Sequence, residues 1–242
     1  MKTILNIPLI SVIFVSVFFG CNRKKNEVKI ANQIWSSSNL NTYTFRNGDA
    51  IKRVSTADEW MDALYSKTPA WCYYDDDDAN GKVFGKLYNY YAVFDQRGLA
   101  PIGWHIPTTE DWRKLKSNVS EFEDLKSHDK WKVSRGFDTC KKCKNWDSFE
   151  KSEENCNECH NTRQVKYEED CSGPLFSKFN GYPAGMIYVD GKSQELGEHA
   201  YWWATTAPYE YDGIWCFGLM CGGANDNGLP KGCGLSVRCI KD

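Results

Sequence analysis

Three kinds of apolar patterning follow one another along the chain, and each predicts a different structure. From Ile4 to Phe19 the chain is almost wholly apolar, with Lys2 ahead of it and Gly20-Cys21 behind. The run is too short for a comfortable membrane span, so it reads as a secretory signal over residues 1–20. Residues 21–32 are mostly polar and read as a tether. QIWSSSNLN, from Gln33 to Asn41, alternates and predicts a first strand. TADEWMDALYS predicts a short helix: Thr56 and Glu59 form a capping box, and Trp60, Ala63 and Leu64 share one face. WCYYDDDDANG reads as an acidic, turn-rich loop. KVFGKLYNYYAVF sets Phe84, Leu87, Tyr88, Tyr91 and Phe94 at helical spacing, and Arg97-Gly98 ends that run. GWHIPTTEDWRKLKSNV predicts another helix, capped at Thr108, with Glu110 and Asp111 near its positive end. Its inner stripe is Trp112, Leu115 and Val119.

From about Val133 to Leu175 the periodicity fails. The segment is charged, rich in cysteine and poor in aliphatics, so it reads as an insert over 133–175 in a domain spanning 33–242. After Phe179 the pattern becomes short strands and turns. Asp190-Gly191 is a tight-turn signal, and YWWATT, GIWCFGLM and GLSVRCIKD are strand candidates. Helices in the first half and short antiparallel strands in the second predict an α+β fold.

Composition narrows the function. The formal charge is −2 and the pI about 6.1; the basic cluster Arg23, Lys24, Lys25 is confined to the tether, which disfavours nucleic acid as a partner. Aromatic residues make up 14% of the chain, ten of them Trp. A loop-rich core needs such rings for buried area; a sugar-stacking surface is the alternative use. Gly20-Cys21 resembles a bacterial lipoprotein cleavage box. In that reading Cys21 carries acyl chains, the basic tether faces acidic head groups, and the protein sits in the cell envelope, on the outer membrane.

The chain has eleven cysteines. Setting Cys21 aside for lipid leaves an even number. Cys140, Cys143, Cys156 and Cys159 form two C-x2-C knuckles, which give zinc two thiolates each at the right bite, with Lys141, Lys142 and Lys144 to offset their charge. The polar stretch between them needs a staple to fold. Spacing favours a structural zinc; export favours disulfides; redox catalysis is a third use. His160 is surplus to four thiolates. Cys72, Cys171, Cys216, Cys221, Cys233 and Cys239 remain for disulfides of unassigned connectivity.

Three further candidates are weaker. Asp76, Asp78 and Asn80 followed by Gly81 match the first half of a calcium loop, but position twelve is Leu87 instead of Glu, and a solvated acidic turn is the simpler reading. His105 lies in a Gly-Trp-His-Ile-Pro turn, where a hydrogen-bonded structural histidine is commoner than a base. Trp202 and Trp203 alternate on a strand, so one ring is expected inside and the other is available for a sugar, unless both are packed.

GKLYNYYAVFDQRGLAPIGWHIPTTEDWRKL, with IWSSSNLN, TFRNGD, AWCYYD, GYPAG, YWWATT and SVRCIKD in order around it, resembles the Fibrobacter succinogenes major paralogous domain. The resemblance covers Ile34 to Asp242 apart from the insert. It implies a fold like that of C-type lectins and formylglycine-generating enzymes, with both chain ends together, commonly in exported, lipid-anchored proteins. Two departures matter. The Glu-Pro-Asn or Gln-Pro-Asp loop and the Trp-Asn-Asp strand of calcium-dependent lectins are absent, since YWWATT and Ala224 to Asp226 do not supply them. Cys233 and Cys239 are a late pair, but their spacing is unlike that of the oxidases, so disulfides or buried thiols are expected. The leading expectation is a non-enzymatic, lipid-anchored envelope module binding glycan or protein. The alternatives are a formylglycine-generating-like oxidase and a purely structural envelope component.

Overall fold

The computed structural model describes residues 26–139, 164–206 and 213–242. Cys21, the apolar leader and the knuckle cysteines Cys140, Cys143, Cys156 and Cys159 lie outside the described residues. Within them the chain mixes helices with mostly antiparallel strands, in keeping with an α+β class.

The first strand begins earlier than the pattern predicts. β1 (Glu27–Ile30) and β2 (Gln33–Ser36) form a hairpin, with Ala31 in the left-handed region at φ 50°. β1 therefore occupies part of the segment that polarity assigns to the tether. Its alternation is short but sufficient, since Ile30 is buried while Lys29 is exposed.

β3 (Lys52–Arg53) precedes α1 (Ala57–Tyr65). Thr56 caps α1 by accepting from the Glu59 amide, and the Glu59 carboxylate accepts from the Ser55 amide. Trp60 and Ala63 are the buried face, as predicted. β4 (Ala70–Cys72) follows.

The expected long helix through Phe94 is instead three pieces: α2 (Asp78–Phe84), β5 (Leu87–Asn89) and α3 (Tyr90–Val93). Gly85, at φ 79°, stops α2. Asn89 restarts helix by accepting from the Ala92 amide. Between them β5 is buried throughout, because it runs inside a sheet. A strand buried on both faces has no polar side to betray its period of two.

β6 (Trp104–His105) leads into α4 (Thr109–Ser117), whose capping box joins Thr108 and Asp111. β7 (Ser134–Thr139) and β8 (Gln164–Glu169) pair antiparallel and bracket the knuckle segment in sequence. β9 (Met186–Ile187) and β10 (Ser193–Gln194) form a hairpin through the Asp190-Gly191 turn, where the Gly191 amide donates to the Tyr188 carbonyl. β11 (His199–Trp203), β12 (Gly213–Met220), β13 (Gly223–Pro230), β14 (Gly234–Leu235) and β15 (Ile240–Lys241) complete the chain.

The sheets interleave distant segments. One has order β1-β2-β15-β6, a second β10-β9-β14-β5-β4-β3, a third β11-β12-β13. Strands thus run through both halves of the chain, not the second alone. The two ends of the described domain meet: Ile240 pairs with Trp35, and the Ser36 and Leu40 amides donate to the Cys239 and Val237 carbonyls.

The core is aromatic. Trp35, Trp112, Phe179, Trp202 and Phe217 are almost wholly buried and touch ring to ring. A polar staple runs through it. Asn39 accepts from Trp202 Nε1 and from Arg238 Nε, and donates to the Phe84 carbonyl and Ser236 Oγ. Arg238, fully buried, also donates to the carbonyls of Ser36, Phe179 and Asn180. Burial pushes its guanidinium down to about 9, so it keeps its charge at neutral pH and needs every one of those acceptors. Cys171 and Cys221 form a disulfide joining the end of β8 to the β12–β13 turn. No helix among the described residues is long and apolar enough to cross a membrane.

Candidate functional site

The sequence candidates fare unequally. Trp202 and Trp203 are both fully buried; Trp202 Nε1 donates to Asn39 and Trp203 Nε1 to the Tyr88 carbonyl. The strand alternates, but β11 is covered on both faces, so neither ring reaches a ligand.

The DDDDANG stretch is not an open loop either. Residues Tyr74–Asp76 make a 3-10 turn and α2 starts at Asp78. Arg53 donates to Asp76 Oδ1 at 2.8 Å and to Asp78 Oδ1 at 3.2 Å. Asn80 donates to the Tyr74 carbonyl, and Asp77 caps α2 at the Ala79 amide. The side chains of the proposed calcium loop are thus spent on a helix start and an arginine. Among the described residues no group of three or more His, Cys, Asp or Glu is placed to hold a metal.

His105 sits between two carboxylates, with Nδ1 2.7 Å from Asp242 and Nε2 3.5 Å from Asp111. It clasps the residue after β15 to the cap of α4. Cys233 and Cys239 are buried thiols, each pushed up to about 12 by burial; Cys72 is buried and raised further still. A thiol so far above its ordinary value is almost entirely protonated and a poor nucleophile at neutral pH.

The strongest unassigned geometry lies at α3. Asn89, wholly buried, holds it from three directions: its Oδ1 accepts from the Ala92 and Ala70 amides, and its Nδ2 donates to the Thr68 carbonyl. Ala92 and Val93 turn inward. Tyr90, Tyr91 and Phe94 stay half-buried. Tyr90 and Phe94 are four residues apart and stack with centroids 4.5 Å apart at 26°. Tyr91 meets Tyr90 edge to face at 5.4 Å. Lys231 Nζ lies 5.6 Å from the Tyr90 ring centre, within cation–π range.

A fixed polar rim adjoins the rings. The turn after Phe94 closes with the Gly98 amide donating to the Asp95 carbonyl, and Gly98 holds φ 77°. Arg97 donates to both Asp95 oxygens, at 2.9 and 2.8 Å, and to Asp49 at 3.0 Å. Its guanidinium also lies 4.1 Å from the Phe45 ring centre. The hydrogen bond from Arg97 holds the Asp95 carboxyl below its ordinary value. The bond from Asn47 and then that from Arg97 do the same for Asp49. Tyr90, Tyr91, Phe94, Asp95, Gln96 and Arg97, with Lys67 and Pro69, line an open cleft of about 510 Å³. Ring surface beside pre-oriented acid and guanidinium groups suits a ligand with apolar faces and many hydroxyls.

The helical spacing places Tyr91 and Phe94 on an inner face together with Leu87 and Tyr88. The signal that separates them is local: Gly85, then Asn89 directly before Tyr90, mark a stop and a new cap. No curated protein and no solved structure matches the chain. The sequence profile of the Fibrobacter succinogenes major domain matches residues 28–241, and the chain belongs to that family.

Proposed function

We propose that this protein is a non-enzymatic, C-type-lectin-like binding module, held on the bacterial cell envelope by acyl chains on Cys21, whose α3 cleft takes a glycan. The observation that carries the reading is the half-exposed ladder of Tyr90, Phe94 and Tyr91 beside the Asp95–Arg97–Asp49 rim. Sugar rings offer a patch of C–H bonds to an aromatic ring and hydroxyls to charged neighbours, and an open cleft admits one or two residues of a longer chain. The deciding experiment is a glycan array with the wild type and with Tyr91→Ala/Phe94→Ala. Specific binding lost in the variant supports the reading; a wild type that binds nothing, or binding indifferent to the substitutions, refutes it.

The oxidase alternative requires a reactive thiolate, and the deep burial of Cys233 and Cys239 speaks against these two residues. Turnover of cysteine-containing peptides would revive it. Anchoring is tested by Cys21→Ser, which should abolish fatty-acid labelling. For the knuckles, structural zinc on Cys140, Cys143, Cys156 and Cys159 is proposed over disulfides: one zinc per chain, with four thiols exposed on chelation, is the expected result.

A further inference from the structure

An exposed apolar tip stands beside the strand that enters the fold from the tether. Phe176 is 86% exposed and Leu175 65%. Such rings are ordinarily turned in or left on a mobile loop, but this one is pinned on both sides. Before it, Cys171 is in the disulfide and the Gly173 amide donates to the Ser127 carbonyl. Gly173 packs so closely that a Cβ there would lie 2.2 Å from the Lys126 carbonyl oxygen. After it, Ser177 Oγ donates to the Asp124 carbonyl and accepts from the Asn180 amide, and Phe179 is wholly buried. The tip is held outward on a braced base, so little chain entropy remains to be lost when it meets a partner.

The same side carries positive charge and the entry of the chain. Phe176 and Lys178 line a cleft of about 340 Å³ together with Lys29 and Ile30 of β1, and Asp124 is the one carboxylate on it. Only four residues lie between Cys21 and Asn26, where the described chain begins, so the link, five steps from Cα to Cα, reaches at most about 18 Å. It contains Arg23, Lys24 and Lys25. An acyl chain at Cys21 would keep this side of the domain within a few residues' reach of the bilayer.

We infer that the Leu175–Phe176 tip, flanked by Lys29 and Lys178, is a membrane-contact surface that dips into the head-group layer and fixes the orientation of the anchored domain. Aromatic and aliphatic side chains enter the interface while lysines reach the phosphates. The inference rests on the acyl anchor proposed above and adds a second point of attachment to it.

A benzophenone amino acid in place of Phe176, in the full acylated chain on phosphatidylethanolamine/phosphatidylglycerol vesicles, tests it. The control is the same group in place of Tyr65, an equally exposed aromatic at 84% on α1. Cross-linking to lipid acyl chains should be at least fivefold higher from position 176. Equal yields from an acylated protein overturn this inference and leave the anchor standing. A chain that takes up no fatty acid at Cys21 overturns the anchor and this inference together. Leu175→Ser/Phe176→Ser gives a second readout: it should keep the wild-type unfolding midpoint and acylation while trypsin cleavage after Lys178 on vesicles rises several-fold. Unchanged cleavage also counts against the contact.

Discussion

Two aromatic assemblies in this domain have nearly the same ring spacing and opposite surroundings. Trp112 stacks on Phe217 at 4.6 Å in the core, and Tyr90 stacks on Phe94 at 4.5 Å at the surface. The core set is sealed on every side and bound to the Asn39–Arg238 staple. The surface set packs on the core through Ala92 and Val93, on a turn capped by Asn89, and stays half open. Ring geometry therefore does not distinguish a sealed core from a half-open surface. What distinguishes them is whether the neighbouring elements close over the rings, as at Trp112 and Phe217, or leave them half open, as at Tyr90 and Phe94.

The comparison breaks most visibly at Trp202. Trp202→Ala empties a large buried volume and should cost about 3–5 kcal/mol of unfolding free energy, read as a lower denaturant midpoint. If it costs no more than Tyr91→Ala, the division between the two assemblies is wrong.

A finer test uses the indole nitrogens. Trp202 Nε1 is paired with Asn39, whereas Trp112 Nε1 and Trp35 Nε1 have no hydrogen-bond partner among the described residues. Trp202→Phe leaves Asn39 Oδ1 short of a donor, while Trp112→Phe removes an unpaired polar group. The first should therefore cost more than the second, by about 1–2 kcal/mol. Equal midpoints for the two variants would contradict that reading of the core.

At the surface the pattern should reverse. Tyr91→Ala is expected to shift stability by less than about 1 kcal/mol and to weaken glycan binding about tenfold, or ~1.4 kcal/mol, measured by titration against the best array ligand. Loss of binding together with a large loss of stability would move Tyr91 from the platform to the core.

The smallest effect is at the cap that delivers Trp112 to the core. Thr108→Ala should cost about 1 kcal/mol. Burial pushes the Asp111 carboxyl up, but the hydrogen bonds from Thr108 and the nearby His105 outweigh it and hold the group below 3.8. A carboxyl depressed in the folded state stabilises above its unfolded value and loses that contribution as pH falls through its folded one. Acid unfolding below about pH 3.8 should therefore be shallower in Thr108→Ala than in the wild type. Parallel curves would mean that the cap does not hold Asp111.

Legibility in the sequence followed the same boundary. α1 and α4 announce themselves, since Thr56 and Thr108 are caps and Trp60, Trp112 and Leu115 keep a single helical face. The Asp190-Gly191 turn is equally plain. The β5–α3 segment is not, because Leu87, Tyr88, Tyr91 and Phe94 satisfy helical spacing although a strand and a short helix share them. Trp203 defeats the alternation rule for a related reason: a strand covered on both faces has no outside. The acidic run is ambiguous because a ligand-like spacing of Asp76, Asp78 and Asn80 is also a good way to begin a helix beside Arg53. The disulfide partners Cys171 and Cys221 could not be chosen from spacing, since their meeting depends on where β8 ends against the β12–β13 turn.

The position of β15 has a consequence in time. Ile240 sits between β2 and β6, opposite Trp35 and His105, so the sheet that opens the domain is completed by a strand from the far end of the domain. A ribosome must synthesise some two hundred residues after β2 before that strand meets its neighbour. Until then the β1–β2 hairpin has an unfilled edge, and a lone hairpin is marginal in water. Any chain that stops before β15 carries that open edge for good. Closure of the first sheet is thus conditional on the far end of the domain, and a chain truncated before β15 is expected to fall to proteases instead of giving a smaller working protein.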